Sequence, residues 1–203
     1  MPSEWRKNKY TWLTTTDILK VMRQYEKSNK NFKFYGPVPV DCPKDISCEL
    51  TDINLNNLNV KGIEYVGVIF NLDRHDQSGR HWVGLFCNIR DRIISYYDST
   101  GSPPPGYIKY FIEMLKRSLN TINKGRVEYN YNKRKHQFGG SECGVYSMNF
   151  IVESLKGKKM EDFQGKSISD FSVNILREYF YRPPRNNKEM NNNRIGGKSN
   201  KKI

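Results

Sequence analysis

The chain has 203 residues, 36% hydrophobic and 13% aromatic, enough to bury one substantial core, and no repeat or low-complexity block interrupts it before its C-terminal tail. Its formal net charge is +13; residues 182–203 carry seven Lys/Arg against one Glu, which leaves +7 of that +13 for the rest and predicts a basic surface. No apolar run approaches the ~18 residues of a membrane span, Met1 to Lys7 has no hydrophobic signal core, and the four cysteines lack a disulfide-framework spacing, so a soluble protein of a reducing, intracellular compartment is expected, with no membrane contact.

In chain order, Thr16 or a neighbouring threonine can cap a helix whose apolar positions are Ile18, Val21, Met22 and Tyr25. Gly36-Pro37 and Pro39 then impose extended backbone. Gly62 to Phe70 reads as a buried central strand. His81 to Cys87 and Arg92 to Tyr97 are rich in strand formers, with polar Asn88 to Asp91 between them, and read as a β-hairpin. After Pro103-Pro104-Pro105, the residues Ile108, Phe111, Ile112, Leu115 and Leu119 predict an amphipathic helix, and Val127, Tyr129 and Tyr131 alternate as a further strand.

Gly139-Gly140-Ser141 breaks the chain ahead of Val145, Met148, Ile151, Val152 and Leu155, which recur at helical spacing until Gly157; Ser141 is the expected N-cap. Phe171, Ile175, Leu176 and Tyr179 predict a last helix before Pro183-Pro184. This order implies an α+β layered domain over residues 1–181, followed by a basic, disordered tail over residues 182–203.

Four residue types along this scaffold carry chemistry. If the hairpin loop centres on Ile89 and Arg90, His81 lies directly opposite Asp98; a loop one residue later makes them a diagonal pair. Opposed Cβ atoms are about 5 Å apart and diagonal ones about 7 to 8 Å, so in either register the carboxylate reaches the imidazole, fixing its tautomer and stabilising the imidazolium. Cys143 falls in the first helical turn, where unsatisfied N–H groups and the helix dipole favour thiolate over thiol. Gln137, six residues upstream, can aim its amide at the same space and, with the backbone N–H of Cys143, form an oxyanion hole. Gly144 lets a substrate backbone approach closely. A lone histidine at a strand start is usually structural and a lone helical cysteine a small buried hydrophobe. The four types in this order and geometry outweigh those readings and point to a cysteine peptidase.

His81-Trp82, Asp98 in Tyr97-Asp98-Ser99, and Gln137 with Cys143-Gly144 resemble the motif order of the SUMO-protease superfamily, the ubiquitin-like-protein-specific peptidases, whose clan also holds the adenovirus and African swine fever virus proteases. The resemblance covers residues 60–155 well, and Trp12-Leu13-Thr14-Thr15 through Tyr35-Gly36-Pro37-Val38-Pro39 looks like the large-DNA-virus branch. It implies a papain-like or adenain-like fold with a central, mostly antiparallel sheet flanked by helices, and His81, Asp98, Gln137 and Cys143 as catalytic residues. Trp82 would shield the dyad or simply cover the sheet. The sequence departs from the cellular members in carrying Glu142 where they usually have Asp, and in being near the minimal size for the fold.

Other candidates yield to structural readings. His75 sits in a polar loop and is expected exposed, and His136, beside Lys133-Arg134-Lys135, is expected in a mobile basic loop. Cys42 and Cys48 bracket five residues without a second ligand cluster, so no metal and no cofactor are expected. Cys87 shares a strand face with Val83 and Leu85 and reads as core. Gly196-Gly197 in the tail is a candidate self-processing site, with cleavage after Gly197.

The expected function is a thiol endopeptidase cutting after small residues at Gly-Gly-type sites, acting on viral structural polyproteins or core proteins during virion maturation in the virion and host cytoplasm. The alternatives are a deconjugating isopeptidase for SUMO or ubiquitin-like proteins and a catalytically inactive basic docking module. Its partners would be a protein substrate and, through the basic surface and tail, nucleic acid; a monomer is expected.

Overall fold

The structure, a computed structural model, describes residues 8, 10–42, 44–165 and 168–181. The tail from residue 182, including Gly197, lies outside them, so the expected boundary and the cleavage site there are not described. Among the described residues no helix is long and apolar enough to cross a membrane.

Helix α1 (Thr15–Ser28) opens with a capping box in which Thr14 and Asp17 satisfy each other's backbone N–H groups, and it buries Ile18, Val21 and Met22. Strand β1 (Phe32–Pro39) alternates buried and half-buried residues, as expected for one face on a core. After α2 (Leu55–Val60), which the sequence had not indicated, β2 (Tyr65–Asn71) is buried through its interior. It starts three residues later than Gly62, which takes a left-handed φ of +78° outside the strand.

The hairpin is β3 (Trp82–Asn88) and β4 (Ile93–Tyr97), with Asn88 opposite Ile93 and Gly84 opposite Tyr97. Helix α3 (Gly106–Ile122) buries the five expected residues, and β5 (Glu128–Tyr131) completes the sheet. The strands lie in the order β1-β2-β3-β4-β5, antiparallel at the centre and parallel at both edges. This is the expected α+β layered domain.

Strand alternation sorts the side chains into two cores. Trp82, Phe86 and Tyr97 face α1 and α4 (Cys143–Leu155) together with Phe32 and Phe34, while Val83, Leu85, Cys87 and Tyr96 face α3 from the other side. Each fully buried side chain of this size stabilises by about 1.5–3 kcal/mol. Helix α4 lies across β3 and is enclosed almost all round, which explains its continuous apolar sequence.

Two short helices follow, α5 (Met160–Gly165) and α6 (Asp170–Phe180). The expected last helix forms, but its orientation differs. Phe171, Ile175 and Tyr179 face outward and are 74%, 55% and 56% exposed, whereas Val173, Arg177 and Phe180 face inward.

Further expectations are corrected. Cys42 and Cys48 form a disulfide, because turns around Asp41 and residues 44–46 bring their Cα atoms to 6.1 Å. His136 is buried, not on a mobile loop: its backbone N–H bonds Ser99 O and its Nδ1 lies 2.8 Å from the Tyr97 hydroxyl. His75 is exposed, as expected, and its Nδ1 pairs with buried Asp41 at 2.6 Å.

Candidate functional site

The β3–β4 register makes His81 and Asp98 a diagonal pair, each one residue beyond its strand. His81 Nε2 lies 2.7 Å from Asp98 Oδ1, and the carboxylate is 2% exposed. Two neighbours hold the acid in place. Thr100 donates its backbone N–H and its hydroxyl to the same Oδ1, both at 2.8 Å. Asn132 brackets the Asp98 backbone, accepting from its N–H at 2.8 Å and donating to its C=O at 2.7 Å.

Gly101 closes this turn with a φ of +78°; a Cβ there would stand 2.9 Å from the backbone of Arg134, so only glycine fits.

Cys143 is the first residue of α4. Ser141 does not cap this helix, because its hydroxyl donates to Glu142 Oε1 at 2.8 Å; Glu142 occupies the N-cap position without a side-chain capping bond. The first N–H groups of a helix have no intrahelical acceptor, so those of Cys143 and Gly144 are open to a ligand. The Cys143 side chain stands near enough to the His81 ring to raise its pKa, and with Nε2 committed to Asp98, Nδ1 is left for the sulfur. Burial alone would lower the imidazole pKa, but Asp98, by its hydrogen bond and charge, and the nearby Cys143 raise it to about 10. The ring therefore holds its proton at neutral pH.

Gln137 is 6% exposed and held at both ends of its amide. Its Oε1 accepts from the Ser99 hydroxyl at 2.6 Å, and its Nε2 donates to Gly139 O at 2.9 Å. An amide nitrogen carries two N–H bonds, so one remains for another acceptor.

Trp82 donates its indole N–H to Leu13 O at 3.1 Å and lies over Gly144. A Cβ on Gly144 would meet Leu13 at 3.1 Å and Trp82 at 3.2 Å. The thiol thus sits in a thin slot, with Cys143 only 2% exposed. A cavity of about 550 Å³ is lined by Trp12, Leu13, Pro37, Pro39 and Trp82.

The structure therefore brings His81, Asp98, Cys143, Trp82 and Gly144 together, with Gln137 on the loop leading into α4. Sequence reasoning missed Thr100, Asn132, Ser99 and Leu13. The spacing of Asp98 and Thr100 is that of an Asx-turn and was a usable signal; the others arrive from distant chain with none. Among the described residues no three metal-ligating side chains converge.

The family model of the Ulp1 protease family, C-terminal catalytic domain, matches residues 6–190. Thiol protease R355 of Acanthamoeba polyphaga mimivirus is 40% identical over 171 residues, which cover 84% of this chain and 57% of that protein. SUMO-1 cysteine protease S273R of African swine fever virus is 29% identical over 118 residues, 57% of this chain and 43% of that protein. The chain thus spans about half the length of these relatives. The crystal structure of the African swine fever virus pS273R protease superposes with a TM-score of 0.75 at 22% identity, covering 86% of this chain and 70% of that one, which bears on the fold.

Proposed function

From the premise that the chain belongs to the Ulp1 protease family, we propose that it is a thiol endopeptidase in which Cys143 is the nucleophile, His81 the acid and base, and Asp98 the residue that orients His81. The observation that carries this reading is the His81 ring bonded to Asp98 at 2.7 Å and close enough to Cys143, at the start of a helix, for that side chain to raise its pKa.

In this mechanism the Cys143 thiolate, paired with the His81 imidazolium, attacks the scissile carbonyl carbon. The free N–H of the Gln137 amide and the backbone N–H of Cys143 receive the oxyanion, with Ser99 fixing the Gln137 amide. His81 then gives its proton to the leaving amine, and water attacks the thioester with His81 as base, releasing the acid product and restoring the thiol. The slot between Trp82, Leu13 and Gly144 favours a residue without a side chain just before the cut, so a Gly-Gly-type site fits best. Replacing Cys143 or His81 by Ala should abolish cleavage of a fluorogenic peptide ending in Gly-Gly, and His81→Ala should also slow alkylation of Cys143 at neutral pH. Fast alkylation independent of His81 would favour an inactive docking module instead.

The likeness to proteases of two large DNA viruses supports processing of viral structural or core proteins, in the virion and the infected cytoplasm, as the role. The second reading is deconjugation of a ubiquitin-like protein, favoured by the likeness to S273R, a SUMO-1 cysteine protease. Capture of Cys143 by a SUMO or ubiquitin probe with an electrophilic C-terminus, together with slow cleavage of short peptides, would select it.

Nucleic acid remains a proposed partner of the basic surface. Residues 103–138 hold eight Lys/Arg against two Glu, and Lys116 and Lys133 lie over the stacked rings of Tyr129 and Tyr131.

A further inference from the structure

Helix α6 carries a polar row that is bonded into the protein beside its buried apolar one. It packs Val173, Leu176 and Phe180 against the core and leaves a second apolar row, Phe171, Ile175 and Tyr179, facing solvent, while Asp170, Asn174 and Arg177, at helical spacing, bond to the body of the protein. Arg177 is 3% exposed, and a buried guanidinium is costly unless its donors are matched. The partners of this polar row lie in three places: the loop from Gln137 to Glu142, Tyr146 of α4, and the chain that walls the slot.

Asp170 Oδ2 accepts the backbone N–H of Phe138 at 2.8 Å and of Gly139 at 2.7 Å, and its Oδ1 takes the Tyr146 hydroxyl at 3.0 Å. Arg177 donates from Nη2 to Ser141 O and from Nη1 to Thr11 O, both at 2.7 Å. Its Nε reaches Asn174 Oδ1 at 2.8 Å, and Asn174 donates in turn to Glu142 Oε1 at 2.9 Å. Burial alone would raise the Glu142 pKa, but the bonds from Asn174 and Ser141 hold it below the usual carboxylate range, so it stays ionised facing Arg177.

We propose that Asp170 and Arg177 are positioning residues for the oxyanion hole, an inference that rests on the peptidase reading above. Asp170 fixes the peptide planes of Phe138 and Gly139. That anchors the chain on the N-terminal side of Gly139, whose carbonyl, one peptide unit further on, clamps the Gln137 amide together with Ser99. Arg177 fixes the Ser141 carbonyl, and with it the peptide plane leading into the first turn of α4. Through Thr11 O it also ties this loop to the Trp12–Leu13 wall, so slot and oxyanion hole keep one relative placement. Neither residue touches the reacting atoms.

The test uses the full chain and a fluorogenic Gly-Gly peptide. Asp170→Ala should lower kcat about 10- to 100-fold with KM changed less than about threefold, because misplaced donors weaken only the transition state. The rate of Cys143 alkylation by iodoacetamide and its pH profile should not move. Asp170→Asn should recover most of the activity, since one amide oxygen can accept both N–H groups. Arg177→Lys should behave like Asp170→Ala, because one ammonium cannot span Ser141 O and Thr11 O. Amide hydrogen exchange at Phe138 and Gly139 should speed up in Asp170→Ala while the interior of α4 stays protected.

Unchanged kcat in Asp170→Ala, alkylation falling in step with kcat, or equal losses in the Ala and Asn variants would each overturn the proposal. If Asp170→Ala does not fold, the Asn and Lys variants decide by the same readouts. A wild-type protein without turnover would sink the peptidase reading, and the exchange measurement would still decide whether Asp170 holds the loop.

Discussion

Thr100 gives both its backbone N–H and its hydroxyl to the Asp98 oxygen that also faces His81, at 2.8 Å each. Three donors on one oxygen leave the carboxylate little freedom to rotate away from the imidazole. Thr100→Val keeps the shape and the backbone bond but removes the hydroxyl. Peptide cleavage should fall roughly fivefold, equivalent to about 1 kcal/mol of barrier, and Thr100→Ser should restore it. Steady-state kinetics of the two variants check this; equal losses in both would show that the methyl group, not the hydroxyl, matters.

Raising the pH should destabilise the protein through His81. Its folded pKa is raised to about 10 by Asp98 and Cys143, above the ordinary 6.5, so its contribution is fully present below pH 6.5 and is lost as pH rises through about 10. Guanidinium unfolding midpoints between pH 6.5 and 10.5 should decline, and His81→Ala should flatten that decline. In Cys143→Ala, which removes one of the groups holding the proton, the decline should start at lower pH.

His136 should act at the opposite end of the scale. Burial, reinforced by the positive charge of Arg134, lowers its pKa below 6.5, so the folded state favours the neutral ring. Stability is then fully present above pH 6.5 and is lost as pH falls from there through the folded pKa. His136→Gln should shrink the difference between unfolding midpoints at pH 7 and pH 5. A difference as large as in the wild type would assign the acid sensitivity to other groups.

Adding one methyl at position 144 should narrow the slot. Gly144→Ala forces Leu13 or Trp82 to move by a few tenths of an ångström. Cleavage should drop about tenfold in kcat/KM. Leu13→Ala in the same chain should return part of the loss, and the double-mutant cycle measures the coupling directly.

The hairpin, the helix-start thiol and the buried faces of α1, α3 and α4 were legible because each follows from local periodicity and turn chemistry. The diagonal register of His81 and Asp98 was one of two that the hairpin allowed. What escaped sequence reading depends on distant chain. Asn132 reaches Asp98 across 34 residues, and Arg177 reaches Thr11 across 166. The outward face of α6 escaped for another reason: the helix offers two apolar rows, and spacing alone does not say that Val173, Leu176 and Phe180 rather than Phe171, Ile175 and Tyr179 are the ones that pack on the core. His136 misled because its neighbours Lys133 to Lys135 are exposed while its own ring packs on Tyr97.

Because His81 and Asp98 meet through one hairpin, that pair can assemble on the ~1–10 µs scale of hairpin closure. Cys143 must cross a loop of about 60 residues and wait for α4 to seat under β3, a slower closure that also needs most of the chain synthesised. On the ribosome, a half-made polypeptide would carry the imidazole and its acid but no sulfur in range. Topology thereby delays assembly of the proposed thiol–imidazole pair until α4 has been made and seated, long after the imidazole and its acid have met.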